Sequence, residues 1–326
     1  MAAPWNLITP ENFINESISW KKEHHKNYLV MFSSVWNGFS THPELWALPP
    51  DDHMVHRGDG VFESFKCVGG KVYCLDLHLE RLKASAAALG IKLPQAFYQT
   101  LPILKEAYRL GNFQDFVIRI CISRGPGSFN VNPYDTLGPE YYLITLKLKT
   151  PPEEIYQKGI SIVTSPVPAK SEFRSIKSCD YLHNVLVKKY ALDQGADYAV
   201  SFDRDGFLTE GPTENIAIVT KEGELLAPSW ERILKGVTLT RVMDLANKLI
   251  EEGLLKSAAN KDIPREGLLD RVSEVFLTTT SFDVLPVVSW DGKKIGQGVP
   301  GPVAKSLLFA IQAEINGSGP YLTPLG

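Results

Sequence analysis

Cysteine is scarce in this chain. Cys67, Cys74, Cys121 and Cys179 are the only four in 326 residues, and no two form a CxxC pair. That excludes a disulfide framework and a thiolate zinc cluster, and it points to a reducing compartment, the cytoplasm. An excess of one charge is lacking too. Thirty-four basic residues face 37 acidic ones, for a net charge of -3, so no field is strong enough to gather nucleic acid or an acidic membrane. No run of about 18 apolar residues exists to span a bilayer. The N-terminus, MAAPWNLITPENF, has neither the basic region nor the apolar core of a signal peptide. GxGxxG, P-loop, GxSxG and HExxH patterns are all missing, and with them the usual signatures of dinucleotide, nucleotide, elbow-serine and zinc-protease sites. The partner implied is a small molecule, with no metal.

What is present is an ordinary globular composition, 44% apolar and 22% charged. The length exceeds what one core usually supports, so two domains are expected. The polar residues 1–26 read as an arm or short helix and Tyr28–Trp36 as the first strand. Val61–Cys67 and Lys71–Cys74 flank Gly69-Gly70 as a hairpin. Asp76 is a candidate N-cap for a helix carrying Leu75, Leu79, Leu82, Ala86 and Leu89. A second helix runs from near Pro94 to Gly111, and strands follow at Phe116–Ser123 and Tyr141–Leu148. Thr150-Pro151-Pro152-Glu153-Glu154 reads as the linker, dividing 1–150 from 159–326 with 151–158 between them. Beyond it come a strand at Ile160–Ser165, a helix at Leu182–Asp193, and hairpins about Asp205-Gly206 and Glu222-Gly223. A helix at Thr238–Glu252, strands at Val275–Thr279 and Val284–Val288, and a closing helix at Val303–Ile315 complete the chain. Hairpins outnumber strand–helix–strand units, which predicts α+β domains with largely antiparallel sheets flanked by helices.

The chemistry concentrates between Arg174 and Asn215. Lys177 lies in a loop before a helix, among the small or apolar Ile176, Ser178 and Cys179, and Glu210 closes a hairpin before Gly211-Pro212. An amine paired with a carboxylate is what a pyridoxal phosphate enzyme needs: the amine forms a Schiff base and the acid keeps the pyridine nitrogen protonated. Gly236-Val237-Thr238 opens a helix, where free amides and the helix dipole make a natural phosphate seat. Thr278, Thr279, Thr280 and Ser281 cluster hydroxyls at a strand end, and Arg81 offers a planar fork suited to a phosphate dianion.

In order and spacing, RGDGVFESF (57–65), HLERLKASA (78–86), IKSCDYLHNVL (176–186), LTEGPTENI (208–216), ILKGVTLTRV (233–242) and FLTTTSFDVLPV (276–287) resemble the class IV, or fold type IV, pyridoxal phosphate enzymes. That family holds D-amino acid and branched-chain aminotransferases and aminodeoxychorismate lyases. The resemblance covers about residue 52 onward. It implies a small N-terminal and a larger C-terminal α+β domain with pyridoxal 5'-phosphate between them, usually in a homodimer. By the same resemblance Lys177 is the Schiff-base lysine, Glu210 pairs with the ring nitrogen, and Tyr181 approaches the ring hydroxyl. Arg81, the backbone of Val237 and Thr238, and Thr280 hold the phosphate, while Phe62, Leu234 and Ser281 line the substrate pocket or pack on the ring.

The chain also departs from the family. The Ser123–Asn132 loop lacks an Arg-x-His pair, the branched-chain arginine segment and the arginine found there in lyases. Gly236-Val237-Thr238-Leu239 stands where Gly-Ile-Thr-Arg is usual, with Arg241 displaced, and Asp180 replaces an asparagine. Arg57, Arg124 and Arg174 are the candidates for the substrate carboxylate. The function expected is amino transfer from an amino acid, of D-amino acid or branched-chain type, to a 2-oxo acid. A lyase releasing pyruvate from 4-amino-4-deoxychorismate and a cofactor holder without turnover are the alternatives.

Overall fold

The computed structural model describes residues 7–169 and 172–326, so residues 1–6 of the expected N-terminal arm lie outside the described residues. The arm continues as α1 (Phe13–Ser19). Strands β1 (Tyr28–Ser33) and β2 (Gly38–Ser40) follow, then α2 (His53–Arg57), β3 (Gly60–Val68) and β4 (Lys71–Tyr73). Helices α3 (Leu75–Ala88) and α4 (Thr100–Leu110), strands β5 (Phe116–Ser123) and β6 (Glu140–Lys147), and α5 (Glu153–Lys158) bring the chain past the expected linker. Then come β7 (Ile160–Thr164), α6 (Leu182–Asp193), β8 (Tyr198–Val200), β9 (Asn215–Thr220), β10 (Glu224–Ala227) and α7 (Val237–Glu251). The last elements are β11 (Ser257–Asn260), α8 (Leu268–Arg271), β12 (Val272–Thr279), β13 (Asp283–Trp290), β14 (Lys293–Lys294), α9 (Pro302–Asn316) and β15 (Leu322–Pro324). No helix among the described residues is long and apolar enough to cross a membrane.

The strands form two sheets. The first has seven strands in the order β15-β4-β3-β5-β6-β1-β2, antiparallel throughout. Its buried face carries Val61, Phe65 and Cys67 from β3 and Phe116, Ile118, Ile120 and Ile122 from β5, packed on Leu82 and Ala86 of α3 and Leu104 of α4. Alternation with period two produces this face: on β5 the even residues are buried, while Arg119 between them is exposed. The second sheet, β11-β10-β9-β12-β13-β7-β8, is mixed, because β11, β7 and β8 pair in parallel. The helices α6 and α7 each intervene between two of its strands, and such crossovers permit parallel pairing. α7 and α9 cover one of its faces with Leu239, Val242, Ala246, Val303, Leu307 and Ile311.

One local expectation needs correction, and two segments show detail beyond the sequence reading. Cys74, not Asp76, is the N-cap of α3; it takes a left-handed φ of 55° because β4 runs straight into the helix. The Pro151-Pro152 linker is partly helical, since Pro152 caps α5 with its fixed φ. On α6, Leu182, Val185 and Leu186 share one side. They are exposed, and Val187 and Ala191 are buried instead.

Candidate active site

Lys177 is held by backbone rather than by its own side chain. The segment around it runs beside β3 as a short extra strand. Phe62 N donates to Lys177 O at 2.9 Å, Cys179 N donates to Gly60 O at 2.8 Å, and Ser178 bridges Val61. Lys177 N donates in turn to Ser85 Oγ of α3 at 3.2 Å. Opposed residues of an antiparallel pair point the same way, so the lysine side chain lies over Phe62, its Nζ 4.7 Å from the ring centroid. Burial, and then the nearby Arg81 charge, lower the Lys177 pKa to about 8.

Glu210 is reached from the other sheet. Its carboxylate accepts from Asn215 Nδ2 at 2.8 Å and from Leu234 N at 3.2 Å. Asn215 Nδ2 also donates to Leu234 O at 3.0 Å, so one side chain ties the acid to the loop leading into α7. Burial outweighs these donors and raises the Glu210 pKa to about 8. In the apo protein both groups are therefore pushed toward neutrality, and a cation beside Glu210 would restore its charge. Tyr181 packs edge-on against Phe62 at 5.1 Å. Burial, followed by the charge of Glu210, raises its phenol pKa, which keeps the hydroxyl a donor.

The third part is an anion seat. α7 is 15 residues long and its N-cap, Gly236, has no capping side chain, leaving the first amides open. A Cβ at Gly236 would stand 1.8 Å from Asn215 Oδ1, so only glycine lets the helix start so close to the Glu210 clamp. Arg81 is aimed by Glu63, which takes Nε at 2.6 Å and Nη2 at 2.9 Å, while Nη1 donates to Lys235 O at 2.8 Å. His78 Nδ1 sits 2.7 Å from the same carboxylate. Burial opposes ionisation of Glu63, yet Arg81 and His78 outweigh it and hold the acid well below its usual range. Thr280 Oγ1 donates to Ser64 O at 3.2 Å. Thr278 Oγ1 is buried with no partner among the described residues, as expected of a hydroxyl whose partner is a bound ligand.

These parts enclose one cavity of about 310 Å³, within the usual size range of small-molecule sites. Phe62, Arg81, Lys177, Tyr181, Glu210 and Leu234 line it, and so do Val237, Thr238, Thr280 and Ser281. Every residue to which the family resemblance gives a role thus borders the same space. An amine, a buried acid, an open helix start and an orphan hydroxyl fit pyridoxal 5'-phosphate. No group of three His, Cys, Asp or Glu among the described residues could hold a metal ion.

Four contributors were not singled out from the sequence. Glu63, His78 and Asn215 act through Arg81 and Glu210, and no local motif marks such supports. Arg119 is the fourth. It lines the cavity with its guanidinium 5.1 Å from the Phe62 ring and pairs with no carboxylate among the described residues. Strand alternation was the available signal, since a charge amid Ile118, Ile120 and Ile122 must lie on the opposite face. Of the carboxylate candidates, Arg124 is already engaged by Asp59 at 2.5 and 3.0 Å and by Leu89 O. Arg57 donates to Phe129 O on the surface, and Arg174 borders a smaller cavity of about 50 Å³ behind Lys177. The displaced Arg241 is structural, paired with Glu314 and Asp244 at 2.6 Å each and stacked 3.7 Å over Tyr321.

The sequence pattern of the family "Amino-transferase class IV" matches residues 60–290. The "D-amino-acid transaminase, chloroplastic" of Arabidopsis thaliana is 37% identical over 297 residues, covering 90% of this chain and 78% of that protein. The "D-alanine aminotransferase" of Bacillus licheniformis is 31% identical over 285 residues, 86% of this chain and 96% of its own length. Among solved structures, a T.th. branched-chain amino acid aminotransferase with pyridoxamine 5'-phosphate superposes with a TM-score of 0.83 at 26% identity, over 92% of this chain and 99% of that one. An amine and an acid facing one cavity, on this fold and with these relatives, place the chain in the class IV aminotransferases, enzymes that work with pyridoxal 5'-phosphate.

Proposed function

We propose that the cavity exchanges an amino group between an amino acid and a 2-oxo acid, with Lys177 as its catalytic lysine and Glu210 as the partner of the ring nitrogen. One observation carries the assignment: an amine and an acid, each pushed toward its neutral form, share a cavity with an uncapped helix start. Pyridoxal 5'-phosphate supplies the aldehyde that takes the amino group and a ring that draws electrons from the substrate α-carbon. The chain's own residues bind and orient. Arg81, the amides of Val237 and Thr238, and Thr280 hold the phosphate, and Tyr181 donates toward the ring hydroxyl. With its pKa lowered to about 8, Lys177 can take and return a proton at Nζ near neutral pH. Phe62, Leu234 and Ser281 line the substrate side. Arg119 is the group for the substrate carboxylate, because it is the cavity arginine that no acid among the described residues claims.

The donor we favour is a D-amino acid, because the 37% and 31% identical relatives are a D-amino-acid transaminase and a D-alanine aminotransferase. A panel of L- and D-amino acids and simple amines, each given alone to the cofactor-loaded enzyme, tests both points by the change in cofactor absorbance. Conversion to the amine form by D-amino acids is expected. Pyruvate release without an acceptor would make the chain a lyase, and silence toward every donor would leave it a cofactor holder. Borohydride reduction and peptide mapping must place the pyridoxyl adduct on Lys177.

We also propose the division into a smaller domain at 1–150, a linker at 151–158 and a larger domain at 159–326, supported by the two sheets, with β15 returning from the larger domain to the edge of the first sheet. A homodimer is proposed on the family resemblance and on the exposed Leu182, Val185 and Leu192 of α6. A cytoplasmic location is proposed on the four free cysteines.

A further inference from the structure

The cavity is closed on one side by the turn between β12 and β13. Thr279 pairs with Asp283, leaving Thr280, Ser281 and Phe282 as the loop. Thr278 through Ser281 all border the cavity. Asp283 ends the loop at a φ of 64°, a left-handed conformation that aspartate tolerates better than most residues. This turn belongs to the second sheet, yet it is measured against the first. On β3 the alternate residues Phe62, Ser64 and Lys66 share a face. Phe62 lies under Lys177, Ser64 O receives Thr280 Oγ1 at 3.2 Å, and Lys66 Nζ donates to both Asp283 oxygens at 2.7 and 2.9 Å. Lys66 and Asp283 are 3% and 6% exposed, so the pair is shielded from water. From the other side Tyr156 Oη donates to Phe282 O at 3.1 Å.

A buried ion pair is a poor device for stability alone, since desolvation cancels much of its attraction. What it provides is a fixed length and direction between two groups. We propose that Lys66 and Asp283 are positioning residues: their pair sets the Thr279–Ser281 turn at the height where its polar groups meet the cofactor phosphate. This inference rests on the reading of the cavity as a pyridoxal 5'-phosphate site. The turn then belongs to the phosphate seat through a residue pair that never touches the ligand.

The test compares dissociation constants of pyridoxal 5'-phosphate and of pyridoxal, which lacks the phosphate, for the full chain. Lys66→Arg, Asp283→Asn and the double variant Lys66→Met/Asp283→Asn are measured beside wild type, with thermal melting of each apo protein. Asp283→Asn and the double variant should lose about tenfold in affinity for pyridoxal 5'-phosphate, the worth of one misplaced phosphate contact, and about twofold or less for pyridoxal. Lys66→Arg, which keeps the pair, should stay within about threefold of wild type for both. The double variant leaves no charge unpaired and carries the measurement if the single one melts too low. Equal losses for the two ligands, or none, would overturn the positioning role whatever happens to the melting temperature. If wild type itself binds pyridoxal as tightly as pyridoxal 5'-phosphate, the reading of the cavity fails first and takes this inference with it.

Discussion

Replacing Glu210 with glutamine isolates a single charge. In the structure Asn215 donates to Oε2 at 2.8 Å, and Leu234 N donates to Oε2 at 3.2 Å and to Oε1 at 3.3 Å, so a glutamine carbonyl placed at Oε2 keeps the Asn215 bond and the shorter Leu234 bond. What is lost is the carboxylate, whose pKa in the apo protein rises from 4.5 to about 8 because of burial. A raised acid pKa means that the folded protein binds more protons than the unfolded one between those limits. Wild-type apo protein therefore loses stability as pH rises from 4.5 to 8, and the cost is complete above 8. Ionising the group over that shift costs at most about 5 kcal/mol, and solvent entering the open cavity reduces this to roughly 2–4 kcal/mol. A chain of this size melts with an entropy of roughly 0.7 kcal/mol/K, so the effect amounts to about 3–6 °C. The assay is thermal melting of both apo proteins at half-unit pH steps from 4.5 to 8. Glu210→Gln should melt with wild type near pH 4.5 and about 3–6 °C above it near pH 8. Saturating pyridoxal 5'-phosphate should then stabilise wild type more than the variant. Turnover of the loaded variant should fall about a hundredfold, or about 3 kcal/mol. Parallel melting profiles for the two apo proteins would refute the claim that this carboxylate is held against its charge.

Arg81→Ala should weaken pyridoxal 5'-phosphate binding and, by stranding the buried Glu63, lower stability by about 3–5 kcal/mol; denaturant titration separates the two effects. Arg119→Met should raise KM for the 2-oxo acid about tenfold to a hundredfold with kcat little changed, as for loss of uniform binding. Gly236→Ala must push Asn215 off the Glu210 clamp, so equilibrium titration should find pyridoxal 5'-phosphate binding weakened by about tenfold or more.

Much of the fold was legible because its signals are local. Gly69-Gly70, Asp205-Gly206 and Glu222-Gly223 mark their turns, and the apolar spacing of α7 and α9 is unambiguous. The cavity was legible at the residues proposed to meet the ligand, since chemistry limits what can stand at Lys177, Glu210 or the start of α7. The supports were not. Glu63 looks like any strand glutamate until α3 lays Arg81 and His78 across it, and Lys66 and Asp283 are 217 positions apart in sequence. Parallel pairing of β7 and β8 was hidden as well, because strand sequence does not record the direction of its neighbour. On α6, helical spacing shows that a face exists but not which face is covered.

The strand β15 has a consequence for how the molecule is made. It pairs with β4 and completes a sheet whose other strands all precede residue 148, and Leu325 beside it is 4% exposed within that sheet's core. During synthesis the first half of the chain must therefore wait, with the edge of β4 bare, until the whole second half has emerged. An open edge of that kind is a site for mispairing between nascent chains. The two halves are accordingly not independent folding units, and a protease cut between them would leave a first half missing its outer strand.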